Sequence, residues 1–208
     1  MKIYTGLVGG EKLKKVKEYD LGIMISSTSV LPRAEHAEFS CALDNGAFSS
    51  YKLNQPFNEY QFLRTIDACQ RFDINPDFTV LPDIVGGGWS SLNFSKMWLS
   101  RLRGAKLALA VQDEMMPNWI HEDILFEVET IFVGGTVAWK WKHAKMWVDF
   151  AHENGRKCHI GQCGKLEFLR EALRIGADSC DSTSFVVNDA WHILDEFIKP
   201  KQKELIEK

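Results

Sequence analysis

Two short apolar runs in this chain break off at an aspartate. The first, Cys41-Ala-Leu-Asp44, continues into Asn-Gly-Ala-Phe48 and Ser-Ser-Tyr51; the second, Gly176-Ala-Asp-Ser-Cys-Asp181, continues into Ser-Thr183. Asp44 and Asp181 stand 137 positions apart, so only the fold can bring them together. If it does, one carboxylate can attack a carbon while the other handles a proton. Four more positions share the pattern of a polar or small residue closing an apolar run: Asp83, Gln112, Gly134-Gly135 and Gln162. Any one of them is equally a turn former or a helix cap. Their recurrence at the ends of runs favours a site.

The runs themselves alternate with helical patterns. Strands are expected at 3–8, 21–26, 40–43, 77–85, 106–112, 130–135, 157–161 and 177–180. Several are almost continuously apolar, as strands buried on both faces are. Between them the spacing predicts helices over 11–19, 57–72, 91–103, 139–153, 166–175 and about 188–197, with one opened by Pro117. In the second, Tyr60, Leu63, Ile66 and Cys69 share a face and Asn58 is placed to cap. Segment 27–39 reads as loop with one helical turn. Eight strand–helix units imply a parallel sheet, and their number implies closure as a compact (β/α)8 (TIM) barrel of the α/β class over residues 1–198. An open doubly wound sheet is the alternative. Residues 199–208 form a charged tail. In a barrel the run ends gather at one mouth, where catalytic groups belong.

Composition narrows the function classes. The 208 residues are 45% hydrophobic and 25% charged, which suits one soluble domain with a sizeable core. A net charge of −3 rules out a globally basic nucleic-acid binder, so such a partner needs a local patch. No run reaches membrane-span length, and the first residues do not resemble a signal peptide. Five cysteines without a CxxC pair read as reduced thiols of a cytoplasmic protein, with neither a zinc ribbon nor a disulfide framework. The six histidines form no ligand set: His36, His121, His143, His152 and His192 read as surface or helix positions, and His159 either lines the mouth or packs.

In order along the chain, these segments resemble the tRNA-guanine transglycosylases and their deazapurine-in-DNA relatives. Leu43-Asp-Asn-Gly-Ala-Phe48 is similar to the family's Asp-Ser-Gly-Gly-aromatic segment, and Pro82-Asp-Ile-Val85 to its Pro-Asp segment. Val111-Gln112 resembles its guanine-reading Gln, Phe132-Val-Gly-Gly135 its Val-Gly-Gly turn, and Asp181 its nucleophile. His159-Ile-Gly-Gln-Cys-Gly164 is a looser match to a Met-Gly segment, with one extra residue.

The resemblance implies a pentosyltransferase that exchanges guanine for another base at an N-glycosidic bond. In it Asp181 attacks C1′ and Asp44 is the general acid/base. Asp83 and Gln112 read the base edge, Phe48 stacks on the base, and Gly134, Gly135, Thr136 and Ile160 approach it. No cofactor and no metal are implied. The tRNA enzymes carry a Cys/His zinc subdomain after the nucleophile and a Pro-Thr-Arg continuation, and neither pattern follows Asp181. The expected substrate is therefore DNA, with a 7-deazaguanine such as preQ0 as incoming base and tRNA as the alternative. A phage-borne enzyme would work in the host cytoplasm. Lys140, Lys142 and Lys145, interleaved with Trp139 and Trp141, and Arg101 and Arg103 are the candidate phosphate contacts, although the solvated face of a barrel helix is the better explanation of the Trp–Lys stretch. A base-binding barrel without exchange and a hydrolase of free nucleosides remain as further readings. The oligomeric state is open.

Overall fold

The computed structural model describes residues 1–198, so the charged tail at 199–208 lies outside the described residues. Eight strands close into a parallel barrel in sequence order: β1 (Lys2–Gly6), β2 (Gly22–Ser26), β3 (Cys41–Asp44), β4 (Thr79–Val80), β5 (Leu107–Val111), β6 (Thr130–Val133), β7 (Lys157–Ile160) and β8 (Ser179–Ser182). The chain is therefore a compact (β/α)8 barrel and not an open sheet. Around it run α1 (Glu11–Glu18), α2 (Ala47–Lys52), α3 (Glu59–Arg71), α4 (Gly88–Leu99), α5 (Glu122–Glu127), α6 (Val137–Glu153), α7 (Leu166–Arg174), α8 (Ser184–Val187) and α9 (Trp191–Ile198). Among the described residues no helix is long and apolar enough to cross a membrane.

Strand alternation sorts the core into two layers. Tyr4, Met24, Ala42, Phe78, Val80, Ala108 and Ala110 form the barrel interior with Phe132 against them. Their neighbours along the strands, among them Ile3, Ile25, Leu43, Leu109, Ile131 and Ile160, pack outward against the helices. Small alanines on β3 and β5 leave room that Tyr4, Phe78 and Phe132 fill from the other strands.

Several boundaries depart from expectation. β4 is two residues, not nine: its last backbone bond runs from the Leu81 amide to the Ala108 carbonyl at 2.9 Å, and the chain then turns through Pro82 into the loop that carries Asp83. β8 starts two residues later than expected and includes Asp181. Helices α2 and α8 were not anticipated; each is a single short, mixed turn without periodicity. Asn58 does cap α3, accepting from the Gln61 amide at 3.0 Å. The buried stripe of α3 is Phe62, Thr65, Ala68 and Cys69, whereas Tyr60 is 70% exposed. Phe62 wins the inner face because it meets Phe57 and Trp98 edge-on, at 5.7 Å each. His36 is no surface residue: it is buried, with Nε2 2.8 Å from the Val8 carbonyl and Nδ1 accepting from the Arg33 amide.

Candidate active site

The inward positions one step above the interior layer are Ser26, Asp44, Gln112, Gly134, Gly161 and Asp181. Each lies two residues beyond an inward core residue, so the same period of two that builds the floor lifts these groups into the mouth. They line a cavity of about 550 Å³, within the size range of small-molecule sites, together with Phe48, Asp83, Lys140 and Gln162. The two aspartates drawn from opposite ends of the chain thus share one cavity.

Asp44 sits at the end of β3, and both of its hydrogen bonds go to Oδ2, from Ser26 Oγ and from the Gly46 amide, each at 3.1 Å. Gly46 holds φ at +80°, and a Cβ there would fall 2.5 Å from Ser27 Oγ, so the turn that presents this amide requires glycine. Burial, then the charges of Asp181 and Asp83, push the Asp44 carboxyl up from 3.8 to about 7; the two hydrogen bonds pull the other way without prevailing. A carboxyl so placed can give and take a proton near neutrality.

Asp83 is buried in the loop after β4. Its Oδ1 accepts from Asn45 Nδ2 at 2.7 Å and its Oδ2 from Gln112 Nε2. Burial raises its carboxyl to about 6 against those two bonds. Asn45 in turn donates to the Leu81 carbonyl at 2.6 Å and accepts from the Ala47 amide at 2.7 Å, tying the β3 and β4 loops together. Gly134 permits the close approach of Gln112: an added Cβ would lie 2.9 Å from Nε2. Gly135 has φ +74° and packs against Asp113 and Trp139.

Among the described residues, Asp181 is held through Oδ1. Oδ1 lies 3.0 Å from His159 Nε2 and accepts from the Gln162 amide at 3.2 Å. Gln162 reaches it from a left-handed backbone, φ +63°. Lys140 is 1% exposed, donates to the Gly161 carbonyl at 2.5 Å and lines the cavity. Burial lowers its pKa, while the charge of Asp181 supports the ammonium.

The structure therefore brings Asp44, Asp83, Gln112, Gly134, Gly135, Phe48 and Asp181 into one cavity. It excludes others. Ile160 faces the outer core because strand alternation gives the inward place to His159. Thr136 is exposed and off the cavity wall, where its hydroxyl donates to Asp113 at 2.6 Å and caps α6. Asp178 lies at the other end of β8 and accepts from the Cys158 amide.

Of the expected phosphate contacts, Lys140 is overturned by its burial, and the others stand apart from the cavity. Lys140 is buried in the mouth, Lys145 pairs with Asp149 at 2.6 Å on the outside of α6, and Lys142 is exposed beside it off the cavity. Arg101 stacks over Trp98 and pairs with Glu59, and Arg101 and Arg103 belong to the turn leading into β5, away from the cavity wall. On the rim stand Lys52, 4.4 Å over the Phe48 ring, and Lys165, 5.3 Å over Phe168. Sequence reasoning passed over Asn45, Lys52 and Lys165, and left the role of His159 open. His159 sits two residues before a run-ending glycine, and that inward parity is the signal that could have found it. No family model matches the chain, and no curated protein matches it.

Proposed function

We propose that the protein is a guanine transglycosylase that replaces guanine by a 7-deazaguanine of the preQ0 kind in DNA, through a covalent aspartyl–glycosyl intermediate. The observation that carries the reading is the convergence of Asp44 and Asp181 on one cavity that also holds the Asp83–Gln112 pair. Asp181 attacks C1′ as the C1′–N9 bond breaks, its bonding pair leaving with the purine, and Asp44 protonates the departing base. The incoming base then gives its proton to Asp44 and displaces the carboxylate. A carboxylate nucleophile suits the oxocarbenium-like transition state of such a displacement.

Asp83 and Gln112 offer an acceptor beside a donor. A guanine edge, with its N1–H and O6, replaces their mutual bond in kind, so no buried polar group is left unpaired. Phe48 supplies an aromatic face at the mouth. Lys52 and Lys165, each above an aromatic ring on the rim, take the phosphates that the expected helix patch does not.

The test is incubation with DNA, tRNA or guanosine and labelled guanine or preQ0. Incorporation into DNA that is lost in Asp181→Ala, together with loss of a trapped covalent adduct, supports the proposal. Incorporation into tRNA alone moves the substrate, release of guanine without incorporation makes the enzyme a hydrolase, and binding without either leaves a base-binding barrel.

A further inference from the structure

Asp181 presents its two oxygens to different surroundings, and this asymmetry rests on one side chain the reaction above does not use. His159 is fully buried inside the barrel. Its ring stacks on Phe132 at 4.7 Å and 21°, and Phe78 and Tyr4 close round it at 5.1 and 5.9 Å. Both ring nitrogens are engaged, Nδ1 with Ser179 Oγ at 2.8 Å and Nε2 with Asp181 Oδ1 at 3.0 Å. A carboxylate accepts, so Nε2 carries the hydrogen of this contact, and the Ser179 hydroxyl, free to turn, serves Nδ1 as donor or acceptor. With the Gln162 amide on the same oxygen, Oδ1 has two donors. Among the described residues no donor reaches Oδ2.

We infer that His159 is the positioning residue of the nucleophile: it pins Asp181 through Oδ1 and so makes Oδ2 the atom that bonds to C1′. The inference rests on the base-exchange reading and adds the atom and its support to it. An aspartate at a strand end otherwise rotates about two side-chain bonds, and a displacement of about 1 Å in a reacting group costs on the order of 10²-fold in rate. Here the carboxylate is tied to a ring that is itself clamped by three aromatic neighbours. The bond also favours turnover. It is charge-assisted while Asp181 is a carboxylate and weakens when Oδ2 becomes an ester oxygen. It therefore steadies the carboxylate as leaving group when the incoming base nitrogen attacks C1′, the C1′–Oδ2 pair returns to the carboxylate and Asp44 holds the base's proton.

Two substitutions separate positioning from packing. In His159→Asn the amide sits where Nδ1 was and keeps Ser179 in reach but falls short of Asp181. In His159→Gln the longer side chain puts an N–H near the place of Nε2. The expected result for Asn is a kcat lower by about 10- to 100-fold with KM for the base within about 3-fold, and for Gln recovery of most of the loss. A second measurement needs no turnover: nitrogen NMR of the wild type shows His159 as the Nε2–H form, and Asp181→Ala speeds solvent exchange of that hydrogen. Equal losses in the Asn and Gln variants tracking their melting temperatures, or an Nε2–H signal indifferent to Asp181→Ala, overturn the inference. If the wild type exchanges no base, the function reading falls while the NMR result still decides whether His159 holds Asp181.

Discussion

Replacing Asp44 by Asn makes a prediction whose sign is opposite to the usual one for a buried acid. The folded Asp44 carboxyl titrates at about 7, against 3.8 when it is free, because burial and two neighbouring aspartates disfavour its charge. Between those values the folded chain holds a proton that the unfolded chain has lost, so stability is fully present at low pH and declines as pH rises through the window. A gap of about 3 units at about 1.4 kcal/mol each puts the ceiling of the loss at about 4 kcal/mol. Asp44→Asn carries no charge to bury and escapes this loss. Its amide oxygen keeps only part of what Oδ2 accepts from Ser26 and Gly46, an offset of about 1 kcal/mol. The variant should therefore gain about 2–3 kcal/mol over the wild type at about pH 8, roughly 5–10 °C in Tm for a chain of this size, and little or nothing at about pH 4. Thermal unfolding at the two pH values measures it. Exchange should be lost at both, and wild-type kcat/KM should fall above about pH 7 as the acid form of Asp44 disappears. A variant as unstable at pH 8 as at pH 4, relative to wild type, would refute the idea that Asp44 bears a repelled, buried charge.

Two further predictions concern how substrate is held. Lys52→Ala and Lys165→Ala should each weaken binding of single-stranded DNA and flatten its log–log salt dependence by about 0.7, leaving binding of free guanine unchanged; anisotropy titrations over a salt series read both. Because Lys165 also lies 3.5 Å from Glu167, its effect should be the smaller. Gly134→Ala should destabilise by about 1–3 kcal/mol, since the added Cβ strikes Gln112 Nε2, which is buried and bonded to Asp83. It should also raise KM for the base about 10-fold by breaking the Asp83–Gln112 arrangement, which steady-state kinetics and calorimetric base binding can measure.

The barrel was legible because strands buried on both faces write themselves as apolar runs, and the mouth was legible because those runs end on Asp, Gln and Gly. Local pattern failed where long-range packing decides. Tyr60 and Leu63 suggested the inner face of α3, yet Phe57 and Trp98 select Phe62 one register away. Leu81 looked like strand, and its amide does reach the Ala108 carbonyl at 2.9 Å, but its carbonyl takes the Asn45 side chain in place of a strand partner. Lys140 looked like one more cation of a basic helix, but it lies four residues from the α6 cap, the turn that overhangs the mouth, and its ammonium is drawn to the Gly161 carbonyl. The His159–Asp181 contact joins residues from adjacent strands 22 positions apart, which no spacing rule anticipates.

The brevity of β4 divides the barrel mechanically. Asp44 and Asp181 stand on strands in register with β2 and β1 over four residue pairs each, whereas β3 and β4 share one pair, Leu43 opposite Thr79, flanked by bonds from the Asp77 amide to the Cys41 carbonyl and from the Leu43 amide to the Phe78 carbonyl. The strands bearing the bond-making groups are thus held over the longer ladders, and the loop bearing Asp83 is fastened beyond its short strand by the Asn45 side chain. A mouth built this way keeps strict tolerance where a bond forms and some give where a base is identified. Its selectivity among incoming bases is accordingly a matter of loop compliance, open to tuning by changes around β4 that leave Asp44 and Asp181 in place.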